Sequence, residues 1–290
     1  MSSRGVAGPR TSWPIGPGLR RILSIALVLV SVAGFQLFVL SSYTDRWFAW
    51  TIAEPLTAAT LGALYWASFV TVRFGMRERT WATARSLLLG TTAFVILSLV
   101  ATLIHLGTFH LTEGPVTAVI AGWAWLVVYA VEPVALVVLV AQGRRAARVP
   151  IPARVPLPGW FRGPVVAIGA LIVLTGVVLF VAPGWAATWW PWALTALTSQ
   201  ALGAWWVGVG VTMALTGWDD DLPSLRGPMA TALVLGPLLF IALVRYWGHV
   251  DWSRPASWIY VAMTAVLPVM GLVGLRLRVV ASHLDVSAAG

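Results

Sequence analysis

Eight apolar stretches dominate the chain, at residues 22–43, 53–72, 86–109, 116–141, 163–182, 193–215, 228–246 and 257–275. Each is long enough to cross a hydrocarbon layer roughly 30 Å thick as a helix that rises about 1.5 Å per residue. Polar residues are concentrated in the short segments between them. Winding each apolar stretch into a helix hides its backbone amides from lipid. The pattern predicts an all-α integral membrane bundle of about eight transmembrane helices, with short loops and no separate water-exposed domain. The first stretch follows a basic leader but leads into Trp47 and Trp50, with no small-residue cleavage site, so it is expected to stay in the chain.

Composition agrees with that reading. Of 290 residues, 59% are hydrophobic and 10% charged, too few polar groups to cover a water-soluble core of this size. The net charge of +9 raises the question of nucleic acid, and its placement answers it. All 19 basic residues are arginine, in short segments flanking apolar runs. Arg4, Arg10, Arg20, Arg21, Arg73, Arg77, Arg79, Arg85, Arg144, Arg145, Arg148, Arg154, Arg162, Arg226, Arg276 and Arg278 fall on the face that carries the N-terminus. Only Arg46, Arg245 and Arg254 fall on the other. This is the positive-inside signature, so nucleic acid is excluded as a partner and both termini are expected in the cytoplasm of a bacterial plasma membrane.

Nine tryptophans cluster at the opposite ends of the spans, where an indole rests comfortably at headgroup depth. Anchoring explains most of them. Trp47, Trp50, Trp190 and Trp192 are also candidates for an aromatic-lined outer mouth that grips a lipid or other apolar ligand. Absence of cysteine excludes disulfides, thiolate metal sites and thiol nucleophiles.

The two halves look like diverged copies at an offset of 141–142 residues. Gly34, Leu37-Phe38-Val39 and Trp50 return as Gly176, Leu179-Phe180-Val181 and Trp192. Leu56-Thr57, Leu61-Gly62-Ala63 and Val70-Thr71 return as Leu197-Thr198, Leu202-Gly203-Ala204 and Val211-Thr212. Proline recurs in the last span of each half, as Pro133 and Pro268, after a shift in spacing. Four spans per copy give both copies one orientation, related by an axis along the membrane normal. The organisation expected is an N-terminal arm over 1–20, a first four-helix repeat over 21–141 and an Arg/Pro-rich connector over 142–161. A second repeat over 162–278 and a tail over 279–290 complete it. The repeated core lies in the second and sixth spans, which are expected to line any shared cavity.

Few polar residues stand inside the spans. Glu132 does, immediately before Pro133, and a carboxylate at that depth is costly unless paired, protonated or facing a cavity. Pro133 removes a helical donor and frees a carbonyl one turn earlier. The second copy has Leu267 there, so a proton or cation site at Glu132 would be asymmetric. Thr57 and Thr198 are candidates to join it, with helix packing as their plainer role. His105, His110 and His249, with Asp251, are weak candidates for a metal site on the outer face. They do not form a mid-membrane pair of haem-ligating histidines, and no cofactor is expected. The run Asp219–Asp221 lacks the alternating spacing of a calcium loop and reads as a solvated turn.

The segments Phe48-Ala49-Trp50, Pro55-Leu56-Thr57-Ala58, Leu61-Gly62-Ala63, Tyr65-Trp66 and His105-Leu106-Gly107-Thr108-Phe109-His110 resemble a group of uncharacterised actinobacterial multi-pass membrane proteins. The second-half segment Trp190-Pro191-Trp192, with Leu197-Thr198 and Gly203-Ala204-Trp205, is similar to theirs as well. The resemblance covers most of the chain and implies no activity. For function, a carrier or permease-like role for a small or lipidic solute is the least strained expectation. The alternatives are a non-catalytic scaffold, accessory subunit or sensor, and a membrane-embedded enzyme acting on lipid substrates. Membrane lipids are expected partners, with a second membrane protein or a second copy of the chain as further ones.

Overall fold

The computed structural model of the chain describes residues 10–288, with side chains as far as Val279. Arg4 in the N-terminal arm, and the side chains of the expected tail from position 280 on, lie outside the described residues. Among the described residues eight helices are long and apolar enough to cross a membrane, so this is a polytopic helical membrane protein. They are α1 (Pro17–Phe38), α2 (Pro55–Gly75), α3 (Trp81–Ile104), α4 (Val116–Arg145), α5 (Gly159–Val181), α6 (Ala196–Asp219), α7 (Arg226–Arg245) and α8 (Pro255–Ala288).

Local chemistry sets the helix starts. Pro17, Pro55 and Pro255 occupy first-turn positions, where the missing N–H would have no helical partner anyway. The Glu54 carboxylate accepts from the Leu56 amide at 3.2 Å, and Thr195 and Thr198 cap each other reciprocally at the head of α6. Most boundaries differ from the hydropathy reading by a few residues, and two of the differences have a local cause. The first helix stops at Phe38, because Leu40–Tyr43 turns into a short interfacial helix over Thr44–Trp47. The third begins at Trp81, five residues early, because the charge of Arg85 is matched inside the bundle.

The helices α2, α3, α6 and α7 form the interior and the other four lie around them. In their most apolar windows 67% of α2 and 61% of α6 is buried, against 17% of α1 and α4. The packing is paired: α1 lies on α2 as α5 lies on α6, and α3 lies on α6 as α2 lies on α7. Small residues carry these contacts, since dispersion at close approach replaces a hydrophobic drive that lipid does not supply. A β-carbon at Gly62 would strike the backbone of Leu37 and Phe38, and one at Gly203 would strike Phe180. Where Thr71 of α2 meets Thr231 of α7, their hydroxyls are 2.9 Å apart. The corresponding place between α3 and α6 sets Gly90 directly against Thr212.

Loop hydrogen bonds repeat in the same register. The Trp81 amide donates to the Trp13 carbonyl at 2.9 Å, and the Leu222 amide to the Val155 carbonyl at 2.8 Å. On the tryptophan-rich face, His110 donates to Ala49 and Asp251 to Pro191, each at 2.8 Å. The chain carries an internal repeat.

The repeat is also unequal where the last helix of each half packs. Gly271 and Gly274 of α8 bring that helix against Met229 and Leu233 of α7, while Gly236 of α7 receives Pro268 and the Thr264 carbonyl. With Pro133 set on Pro268, the first half has Leu136, Leu139 and Val95 at those positions. The corresponding contact between α4 and α3 is far smaller than that between α8 and α7. A cavity opens there.

On the arginine-rich face, Thr11–Ser12 pairs antiparallel with Val149–Pro150. The aspartates at 219–221 are no solvated turn. Asp219 receives both Nε and an Nη of Arg85, Asp220 receives Arg162 at 3.1 Å, and Asp221 receives Arg10 at 3.4 Å. Asp219 and Asp221 are buried. Three carboxylates in a row thus clasp the N-terminal arm, α3 and α5 to the end of α6.

Candidate functional site

The cavity between α4 and the rest of the bundle has a volume of about 320 Å³, within the range of small-ligand sites. Its α4 wall is one helix face, from Thr117 through Ala121, Ala124 and Val128 to Glu132. That face covers roughly 22 Å of membrane depth at about 1.5 Å per residue. Val32 of α1 and Ile120 of α4 both line the cavity and are 50% and 64% exposed. The opening therefore faces sideways, between α1 and α4, toward lipid. The walls are predominantly apolar.

Two features stand out in that lining, beside Gln36 and several serine and threonine hydroxyls. The first is an aromatic cluster. The hydroxyls of Tyr65 and Tyr129, both buried, are 2.5 Å apart. Trp125 stacks near Tyr129 with ring centroids 4.3 Å apart, and Phe94 stacks on Trp205 at 3.8 Å. Tyr65 meets Trp205 edge-on at 4.8 Å. The second feature is Glu132, one helical turn beyond Tyr129 on the same face. Among the described residues its carboxyl has neither a hydrogen-bond nor an ion-pair partner. Pro133 leaves the Tyr129 carbonyl without its helical donor, adding an acceptor to this stretch of α4. Gln36, near the tryptophan-rich end of α1, also lines the cavity without a side-chain partner among the described residues.

The other residues singled out from sequence lie elsewhere. Thr57 is buried and accepts from the Trp192 indole at 2.8 Å. Thr198 is spent on the Thr195 cap. Neither lines the Glu132 cavity. Trp50, Trp190 and Trp192 are only 1–3% exposed, while Trp47 is half-exposed. Trp50 packs among Phe48, Phe109 and Trp125, and Trp192 between Trp190 and Tyr260. These rings fill two plugs at the tryptophan-rich face.

The histidines are separately committed. His105 Nε2 lies 2.9 Å from Gln200, His110 lies 3.1 Å from both Thr51 and the Phe48 carbonyl, and His249 Nδ1 lies 2.9 Å from Glu54. Asp251 bonds Ser253 and Arg254, and those contacts hold its carboxyl below the usual carboxylate range. Among the described residues no three His, Asp or Glu side chains gather as a metal site would require.

Tyr65, Tyr129, Trp125 and Trp205 were not picked out as site residues from the sequence. Tyr129 carried a usable signal, because it stands three residues before Glu132 and so shares its helix face. No family model matches the chain, and no curated protein or solved structure matches it either.

Proposed function

We propose that this protein is a carrier- or permease-like membrane protein for a lipidic solute with an apolar body and one hydroxyl or amine. The supporting observation is a single one: in a bundle packed through close glycine contacts, a lipid-facing cavity reaches a carboxyl with no partner among the described residues. Its apolar walls suit a solute that enters from the bilayer, and Glu132 with the tyrosine pair supplies the polar recognition. A hydrophilic substrate would need a water-facing, polar path instead.

The architecture belongs to this reading. Matched loop hydrogen bonds and helix pairings support two parallel four-helix repeats about an axis normal to the membrane, with an Arg/Pro-rich connector between them. The arginine-rich face is the cytoplasmic one, in a bacterial plasma membrane, and carries both termini. Kinship with actinobacterial multi-pass proteins is part of the same reading and rests on the sequence segments quoted above. Thr57, Thr198 and the Trp47, Trp50, Trp190 and Trp192 rings then serve as the frame around the site. The scaffold reading draws on the close packing of α3 with α6, where a β-carbon at Gly90 would strike Thr212 and the Gly208 carbonyl.

The test is flux in proteoliposomes loaded with a pH-sensitive dye, over a panel of long-chain amines and isoprenoid alcohols. Glu132→Gln is expected to remove proton-coupled uptake while leaving the protein folded. Flux identical in wild type and variant across the panel would sink the carrier reading and leave the scaffold.

A further inference from the structure

A second cavity, of about 340 Å³, opens on the arginine-rich face and shares no residue with the first. Its rim brings together the N-terminal arm, the connector between the halves, the start of α3 and the end of α6. Four guanidinium groups line it, from Arg10, Arg85, Arg148 and Arg154, against two carboxylates, Asp219 and Asp221. Both carboxylates are already engaged. Asp219 holds Arg85 through both oxygens, while Asp221 takes Arg10 on one oxygen and the Val155 amide on the other at 3.2 Å. Arg10 and Arg85 are thereby neutralised in place.

Arg148 and Arg154 are not. Among the described residues neither has a carboxylate partner; Arg148 lies 5.8 Å over the Trp13 ring, and Arg154 bears electrostatically on Arg85. Trp13 and Trp81, with ring centroids 5.7 Å apart, wall the same cavity. The first turn of α3 also borders the cavity, with its Trp81 and Ala82 amides already donating to the Trp13 carbonyl and the Ser12 hydroxyl. The cavity thus concentrates two planar cations, without carboxylate partners among the described residues, in a concave space with aromatic walls.

We propose that this cavity binds the phosphate or diphosphate group of an anionic ligand, with Arg148 and Arg154 as its two guanidinium clamps. Guanidinium suits this task because its fork of N–H donors matches paired phosphate oxygens. Arg148 and Arg154 bring positive charge to one cavity that no carboxylate offsets among the described residues, and a dianion supplies that counter-charge. Two sources present the same chemistry at this depth: the headgroup of an acidic phospholipid in the adjacent leaflet, and a soluble phosphate ester. The site is independent of the Glu132 cavity and stands whether or not solute is carried there.

Inorganic pyrophosphate is the probe. With the full chain in neutral detergent at fixed ionic strength, titration calorimetry is expected to give saturable binding. The Arg148→Gln/Arg154→Gln double variant should weaken it by about tenfold or more. Arg73→Gln/Arg77→Gln, on the same face but outside the cavity, should leave it unchanged. Repeating the titration in nanodiscs of phosphatidylcholine alone, and with phosphatidylglycerol added, separates the sources. Weaker pyrophosphate binding in the acidic discs, dependent on Arg148 and Arg154, assigns the site to a headgroup; equal binding assigns it to a soluble ester. Should the double variant fail to fold, Arg154→Gln alone makes the comparison. No saturable binding in any preparation, or equal weakening by the control pair, overturns the proposal.

Discussion

Single side chains in this protein are best understood through their partners, and the repeated tryptophans make the point measurable. Trp50 and Trp192 correspond in the two halves and are equally buried, but only the Trp192 indole has an acceptor, Thr57. Phenylalanine at either position costs similar packing, so the difference between the variants isolates one hydrogen bond. Trp192→Phe should be the more destabilising by about 1 kcal/mol in detergent unfolding; equal losses would deny that the bond matters. Ala124 makes the opposite test, since it faces the cavity without packing into the core. Ala124→Phe is expected to block solute uptake and leave the unfolding midpoint within about 2 °C of wild type. A midpoint that collapses would mean the space is closed in the working protein. Arg85 and Asp219 behave differently again. Asp219 is buried, so Arg85→Gln leaves a carboxylate that nothing else neutralises, a loss of roughly 2–4 kcal/mol given that Arg85 is partly solvated. Adding Asp219→Asn should recover most of it.

At the scale of elements, hydropathy was enough to locate all eight spans, because lipid leaves the backbone little choice but helix. It misjudged ends wherever a local partner overrode the mean. Arg85 extends α3 because Asp219 waits beside it, and Asp219–Asp221 reads as solvent-exposed only while its three arginine partners, far apart in sequence, are unknown. Glu132 was legible as an oddity at its depth, whereas the aromatic cluster around it was not. Tyr65, Phe94 and Trp205 come from three further stretches of the chain and meet Trp125 and Tyr129 of α4 only through packing. The cavity lies where the halves differ, a contrast invisible in either half alone. Gly236, Gly271 and Gly274 draw α8 onto α7, whereas the first half has Val95, Leu136 and Leu139 at those positions and a far smaller contact between α4 and α3. Gly236→Val copies the first half into the second. Its branched side chain must displace Pro268 and the backbone at Thr264, so a loss of about 1–3 kcal/mol is expected, along with a new cavity beside α8. Retention of full stability would show that the glycine contact does not set the spacing.

For the molecule as a whole, the decisive quantity is the sidedness of the two faces, because the basic cavity opens on one of them. It is useful to a soluble phosphate ester only from the compartment that holds it, and the orientation proposed above makes that compartment the cytoplasm. The bias is strong in the N-terminal arm and the connector and weak in the loop after α6, where three aspartates face one arginine. The three-way clasp removes that weakness as an objection, since those aspartates are consumed by Arg85, Arg162 and Arg10. The chain has no cysteine, so introduced thiols give an unobstructed readout. In intact cells, Glu113→Cys and Trp185→Cys, on the tryptophan-rich face, should react with a membrane-impermeant maleimide. Ser3→Cys and Gly159→Cys should react only after the membrane is opened. Labelling of Ser3→Cys and Gly159→Cys on opposite sides would break the even-span count that gives both halves one orientation. Labelling of the whole pattern in reverse would keep the bundle and both cavities but turn the arginine clamps outward, toward ligands of the external medium.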